Sequence, residues 1–171
     1  ITCGPCTASA AIGYSVSVTP LQMASVFGTI ANDGVWVQPY LVSGVVDGDG
    51  VRSAIETDGR RVVSEGTARV MQLLLQSVVE SDDGTGGNAA VDGYEVGGKT
   101  GTSRKWIGGS YSESAWIASF IGMAPIDDPQ LVVAVVVDSP VNGHYGGDAA
   151  APAFAEVMEH ALHQLGISQD G

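Results

Sequence analysis

"GYEVGGKTGT", residues 93–102, reads in two incompatible ways, and the choice between them decides the fold. Gly93 to Thr100 spells the phosphate-binding loop G-x-x-x-x-G-K-T letter for letter. Lys99, Thr100, Gly101 and Thr102 equally suit a strand that edges a cleft. There a lysine amine attracts a carboxylate and stabilises developing negative charge, the threonine hydroxyls hydrogen-bond it, and glycine lets a ligand approach the backbone.

The surroundings favour the strand. A phosphate loop follows a buried strand and leads into a helix whose N-terminus faces the phosphates. Gly86-Gly87-Asn88-Ala89-Ala90-Val91-Asp92 makes a poor buried strand, and the stretch from Gly101 to Gly108-Gly109 a poor helix start. Leu131 to Asp138 does mimic the apolar strand whose terminal Asp holds magnesium, which keeps a nucleotide hydrolase as a remote alternative.

Outward from this segment, a helix is expected over Thr19 to Asn32, with Thr19 as cap, Pro20 in the first turn and Gly34 past its end. Leu21, Ala24, Val26, Phe27, Ile30 and Ala31 give it an apolar face. Val35–Tyr40 and Leu41–Val46 read as strands, with Asp47-Gly48-Asp49-Gly50 as a turn. A second helix fits Ser64 to Glu80, with Val70, Leu73, Leu74, Leu75 and Val78 turned inward. Strands are expected at Glu95–Arg104, Ala115–Met123 and Leu131–Asp138, the last two joined by the short turn Pro125–Gln130 and hence antiparallel. Phe154, Val157, Met158, Ala161, Leu162 and Leu165 mark a closing helix. The sum is an α+β domain, an antiparallel sheet flanked by helices.

Composition sets outer limits. The 171 residues suffice for one domain. Seven basic against nineteen acidic residues give a net charge of −12, which argues against nucleic acid or an anionic membrane surface as a partner. The longest apolar run, Leu131 to Val137, is far short of the ~18 residues of a membrane span. Ile1 is not an initiating Met, as in a mature form or a cleaved fragment. Cys3-Gly4-Pro5-Cys6 has the spelling of a thiol redox site but too little chain before it to supply the usual strand; a local disulfide or two incidental thiols is the plainer reading.

Several segments together resemble the C-terminal half of a penicillin-binding protein transpeptidase domain of the monofunctional class B type. They are Ile12-Gly13-Tyr14-Ser15-Val16-Ser17-Val18-Thr19-Pro20-Leu21-Gln22-Met23-Ala24, continuing into Ile30-Ala31-Asn32-Asp33-Gly34, then Gly84-Thr85-Gly86 ahead of Val96-Gly97-Gly98-Lys99-Thr100-Gly101-Thr102. Trp116 to Pro125 and His144-Tyr145-Gly146-Gly147 with Ala151-Pro152-Ala153-Phe154 complete the set, in order over residues 10–165. The resemblance implies a serine acyltransferase that cross-links peptidoglycan stem peptides ending in D-Ala-D-Ala. It implies that Lys99, Thr100, Gly101 and Thr102 bind that substrate or a β-lactam, and that the Thr102 backbone N–H forms half of the oxyanion hole. No cofactor or metal is implied. The parent protein is expected outside the cytoplasmic membrane, anchored by an upstream segment, alongside the glycan-polymerising division or elongation machinery.

The nucleophile is not in these residues. The family's S-x-x-K and S-x-N motifs are absent: Lys99 and Lys105 follow Val96 and Thr102 by three places, and Asn32, Asn88 and Asn142 follow Ile30, Gly86 and Pro140 by two. Residues 1–171 are therefore expected to be the C-terminal portion of one transpeptidase domain, inactive alone, with the upstream half of that domain as partner. A non-catalytic β-lactam sensor or inactive penicillin-binding homologue is the alternative, and β-lactam hydrolysis ranks last. Trp106, Tyr111 and Tyr145 are candidates to line the cleft. The remaining polar features have plainer readings: Glu156, Glu159, His160 and His163 form a solvated helix face, Arg60-Arg61 a solvated loop pair, and Asp127-Asp128 a turn.

Overall fold

A computed structural model describes residues 4–11, 13, 16–141 and 143–169, without the side chains of residues 4–6. Cys3 and the Cys6 side chain lie outside the described residues.

Residues 97–107 are a strand, so the phosphate-loop reading fails: Lys99 and Thr100 stand in mid-ladder with no helix after them. The elements in order are α1 (Gly4–Ala11), α2 (Pro20–Ala31), β1 (Val35–Val37), β2 (Gly44–Val46), β3 (Arg52–Ala54), β4 (Gly59–Arg61), α3 (Glu65–Glu80), β5 (Gly97–Ile107), β6 (Ser110–Ala124), β7 (Leu131–Asp138), α4 (Gly146–Ala149) and α5 (Ala151–Leu165). Strands β5, β6 and β7 form one antiparallel sheet in that order, with β6 central. One core packs α5 residues Phe154, Met158 and Leu162 against Phe120 and Val96. The other packs Phe27 of α2 and Leu75 of α3 against Ile121, Met123 and Ile126. The α+β architecture expected from the sequence is present.

The helices start where their caps dictate. Thr19 and Gln22 form a reciprocal capping box, at 3.2 and 2.8 Å, and Ser64 accepts from the Thr67 amide at 3.1 Å. Past α2, Gly34 at φ +84° closes the turn, and a Cβ there would strike the Val63 carbonyl.

Four expectations need correction. The early strands are shorter than read: β1 ends at Val37, β2 begins at Gly44, and each pairs with a strand the sequence reading missed, β1 with β4 and β2 with β3. The second correction concerns Arg60 and Arg61, which are on β4 and not in a loop: the Arg60 guanidinium lies 5.6 Å over Trp36, and Arg61 donates to the Asp33 carbonyl at 2.7 Å. The inward face of α3 is Ala68, Gln72, Leu75 and Val79, while Val70, Leu73 and Leu74 are exposed. Gln72 is buried because its amide donates to the Ile30 carbonyl and its oxygen accepts from Arg69. On α2, Leu21 and Val26 likewise face outward.

The turn at Asp127-Asp128 is pinned as well as tight, since Arg69 of α3 meets Asp127 at 2.6 Å. At the opposite end of the sheet Lys105 of β5 reaches past β6 to Asp138 of β7, also at 2.6 Å. The Lys105 hydrogen bond, helped by Ser139, holds the Asp138 carboxyl below its ordinary range.

Because the folded pKa of Asp138 is depressed, its contribution to stability is complete above the ordinary carboxylate pKa and is lost as pH falls through the folded value. An NMR titration should show Asp138 protonating at lower pH than an unpaired aspartate, and Lys105→Ala should move it up towards the ordinary range. Phe154, fully buried with its ring 4.7 Å from that of Phe120, should cost about 3–5 kcal/mol on truncation to Ala in denaturant unfolding. Val157→Ala, on the outer face of the same helix, should cost far less.

Candidate active site

Strand β5 is an edge strand, hydrogen-bonded to β6 alone among the described residues. Side chains alternate along it, so Lys99 and Gly101 share a face with their partners Ile121 and Ser119, and Thr100 and Thr102 share the other with Phe120 and Ala118. The lysine nevertheless curls around the free edge: Nζ lies 3.0 Å from Thr100 Oγ1 and 3.2 Å from the Thr100 carbonyl. Amine and hydroxyl thus meet on the β5 rim, one of the two edges of the sheet that no strand covers among the described residues.

Both threonines are held from outside the strand. Thr100 Oγ1 is 3.0 Å from Thr85 Oγ1, and Thr102 Oγ1 accepts from the Gly146 amide at 3.0 Å. A hydroxyl that accepts in this way keeps its own proton for a ligand. Gly146 achieves this by lying flat on the Gly101–Ser119 pair; a Cβ there would run into the Ser119 carbonyl and sit 2.6 Å from that of Gly101. Gly147 lies as closely on the Thr85 carbonyl, and its own carbonyl accepts from Asn88. Next along the chain, Tyr145 is exposed and its ring is 4.2 Å from that of His144, which stacks on Trp116 at 4.4 Å.

Beside Lys99 an open groove of about 380 Å³ is lined by Ser77, Val78, Ser81, Asp83, Gly84, Thr85 and Lys99. A second depression of about 210 Å³, between α2 and the start of β7, carries no titratable side chain and lies away from the lysine. Lys99 also differs from the other cations. Arg52, Arg61, Arg69, Lys105 and, through ring contacts, Arg60 and Arg104 each tie residues apart in sequence, while among the described residues Lys99 bonds only its neighbour. Among the described residues its charge ties no other element.

The structure brings Lys99, Thr100, Gly101 and Thr102 together with Tyr145 nearby. It sets Trp106 and Tyr111 apart, at the tip of the β5–β6 hairpin. Sequence reasoning named neither Gly146 nor Thr85 as a site residue; their only signal was membership of short glycine-containing segments. No group of three or more metal-ligating side chains occurs among the described residues.

The family profile of the penicillin-binding protein transpeptidase domain matches residues 6–159. The chain belongs to this family. It is 39% identical over 162 residues to a probable peptidoglycan D,D-transpeptidase, PenA, of Neisseria meningitidis, and 42% identical over 164 residues to stage V sporulation protein D of Bacillus subtilis. Each alignment covers 94% of this chain but only 26% and 25% of the relative, so the chain spans about a quarter of the length of these proteins. Penicillin-binding protein 3 of Mycobacterium tuberculosis, crystallised with aztreonam, superposes with a TM-score of 0.85 at 33% identity, over 94% of this chain and 38% of that one. The class B penicillin-binding protein resemblance read from the sequence is thereby established, as is the fold.

Gly146→Ala should destabilise the domain by about 1–3 kcal/mol through forced backbone displacement. It should also shift the amide resonances of Gly101, Thr102 and Ser119 well beyond those of β7.

Proposed function

We propose that this rim is the substrate-binding wall of a serine D,D-transpeptidase, and that residues 1–171 are the C-terminal portion of one transpeptidase domain. On this reading the S-x-x-K serine and the S-x-N motif lie on a preceding segment. The observation that carries the proposal is the uncommitted ammonium of Lys99 on an open strand edge, flanked by two threonine hydroxyls held from behind.

The terminal carboxylate of a D-Ala-D-Ala stem peptide, or the carboxylate of a β-lactam, pairs with Lys99 and accepts from the Thr100 and Thr102 hydroxyls. Gly101 lets the ligand backbone lie close. The serine oxygen attacks the penultimate carbonyl carbon, and the Thr102 N–H donates to the oxyanion that forms, a contribution of roughly 3–4 kcal/mol for such a donor. The C–N bond to the last D-Ala then breaks, and that residue leaves as the free amino acid. The amine of a second stem peptide displaces the serine oxygen, restoring the hydroxyl and completing the cross-link. The aztreonam complex of the mycobacterial relative supports the β-lactam-binding part of this reading.

Uncovered apolar surface supports the division of the domain. Leu21 and Val26 on α2, Val70, Leu73 and Leu74 on α3, and the outer edge of β7 have no cover among the described residues. A preceding segment of the same domain would bury them. The whole protein acts outside the cytoplasmic membrane, held by an upstream anchor beside the glycan-polymerising division or elongation machinery. No described helix is long and apolar enough to cross a membrane.

The test is acylation by a fluorescent penicillin in protein carrying the preceding segment, read on a denaturing gel. Label should appear on the serine-bearing segment and residues 1–171 alone should stay dark. Lys99→Ala should slow labelling about 10²- to 10³-fold. Undiminished labelling of that variant would remove Lys99 from the site.

A further inference from the structure

We propose that the tip of the β5–β6 hairpin is a sugar-binding site in which Trp106 and Tyr111 receive an amino-sugar ring of the glycan strand that bears the bound stem peptide. The inference rests on the reading of Lys99 as the carboxylate anchor.

Trp106 and Tyr111 are 63% and 65% exposed, and their rings meet at 4.9 Å and 82°. Two large aromatic faces at right angles make an apolar corner in solvent. The C–H face of a hexosamine ring is the complementary surface, since its polarised hydrogens meet the negative face of an aromatic ring.

The corner is also built, and not simply left over. Arg104 pairs with Trp116, but two residues later Trp106 pairs with Tyr111, so β6 accommodates extra residues opposite Lys105. Ser112 Oγ fixes that bulge by accepting from the amides of Ser114 at 3.2 Å and Ala115 at 3.0 Å. Bulges re-aim the side chains beyond them. The adjacent cations are already engaged, Arg104 over Trp116 at 5.2 Å and Lys105 on Asp138, so the tip presents rings more than charge. That favours a neutral sugar over an anionic lipid.

Reach and direction supply the link to the substrate. Between Thr102 and Trp106 a strand advances ~13 Å, and between Lys99 and Trp106 ~23 Å. A stem peptide of about five residues, extended, spans ~16–18 Å, between these two limits. α3 lies against the N-terminal end of β5, where a Cβ on Gly97 would be 3.3 Å from the Gln76 amide nitrogen. A peptide added along the open edge and directed away from α3 runs towards the hairpin tip. With its carboxylate between Lys99 and Thr102, its N-terminal, glycan-bearing end arrives at Trp106.

The test uses protein with a complete transpeptidase domain and two readouts. In the first, the disaccharide of N-acetylglucosamine and N-acetylmuramic acid is titrated while the indole N–H resonance of Trp106 is followed. In the second, disaccharide-pentapeptide and free pentapeptide compete against fluorescent penicillin. The disaccharide should shift the Trp106 resonance, and the glycan-bearing peptide should compete about 2- to 10-fold better than the free one. Trp106→Ala should bring that ratio to one, and Trp106→Phe should keep most of it. A Trp106 resonance that ignores the disaccharide, or a ratio unchanged in Trp106→Ala, overturns the proposal, as does a response to anionic vesicles alone. A shifted indole without any penicillin labelling would uphold the sugar site while refuting the transpeptidase reading beneath it.

Discussion

Phe120 is the contact on which the assembly depends. Its ring is fully buried on β6, tilted against that of Phe154, and glycines surround it where side chains would otherwise be. A Cβ on Gly98 would lie 2.5 Å from the ring carbon Cε1, one on Gly86 3.0 Å from Cε2, and one on Gly122 3.1 Å from Cε1. These three belong to β5, to the loop that carries Thr85, and to β6 itself. One aromatic ring thus draws the segment before Lys99 and the loop behind Thr100 into the same small volume. The lysine then emerges from one of the most tightly packed points of the sheet, and its backbone has little freedom to drift.

Much of this was legible in local chemistry. Thr19 with Pro20 and Ser64 announce two helix starts because a cap needs only a side-chain oxygen at the right place. The β6–β7 hairpin follows from two apolar runs and the turn between them, and the strand at Lys99 from the lack of a helix start after it. The face of α3 was not legible. Val70, Leu73, Leu74 and Val78 form a coherent apolar stripe, and periodicity detects a stripe without saying what covers it. Gln72 took the inward position because a carbonyl of another helix awaited its amide. Strands β3 and β4 carry no burial alternation, every residue being exposed, so there was no period to read.

The site divides in the same way. Lys99, Thr100, Gly101 and Thr102 are recognisable from their order alone. The groups that hold them stand 15 and 44 residues away, at Thr85 and Gly146, and one of those acts through a backbone amide that no side-chain pattern reveals.

Gly146 has an evolutionary consequence as well. Since it meets β5 and β6 backbone to backbone, any side chain there moves the threonine wall as a unit. Gly98 is closed by the ring of Phe120, and Gly101 would need the Ser119 hydroxyl to yield. Change at Gly98 or Gly146 is costly, and at Gly101 it turns on one movable hydroxyl. Tyr145, Trp106 and Tyr111 stand in solvent and are far freer to vary. If this wall binds the substrate as proposed, inherited variation in what it admits should therefore accumulate around its perimeter, in residues that alter the approach of a ligand, while the rim itself stays fixed.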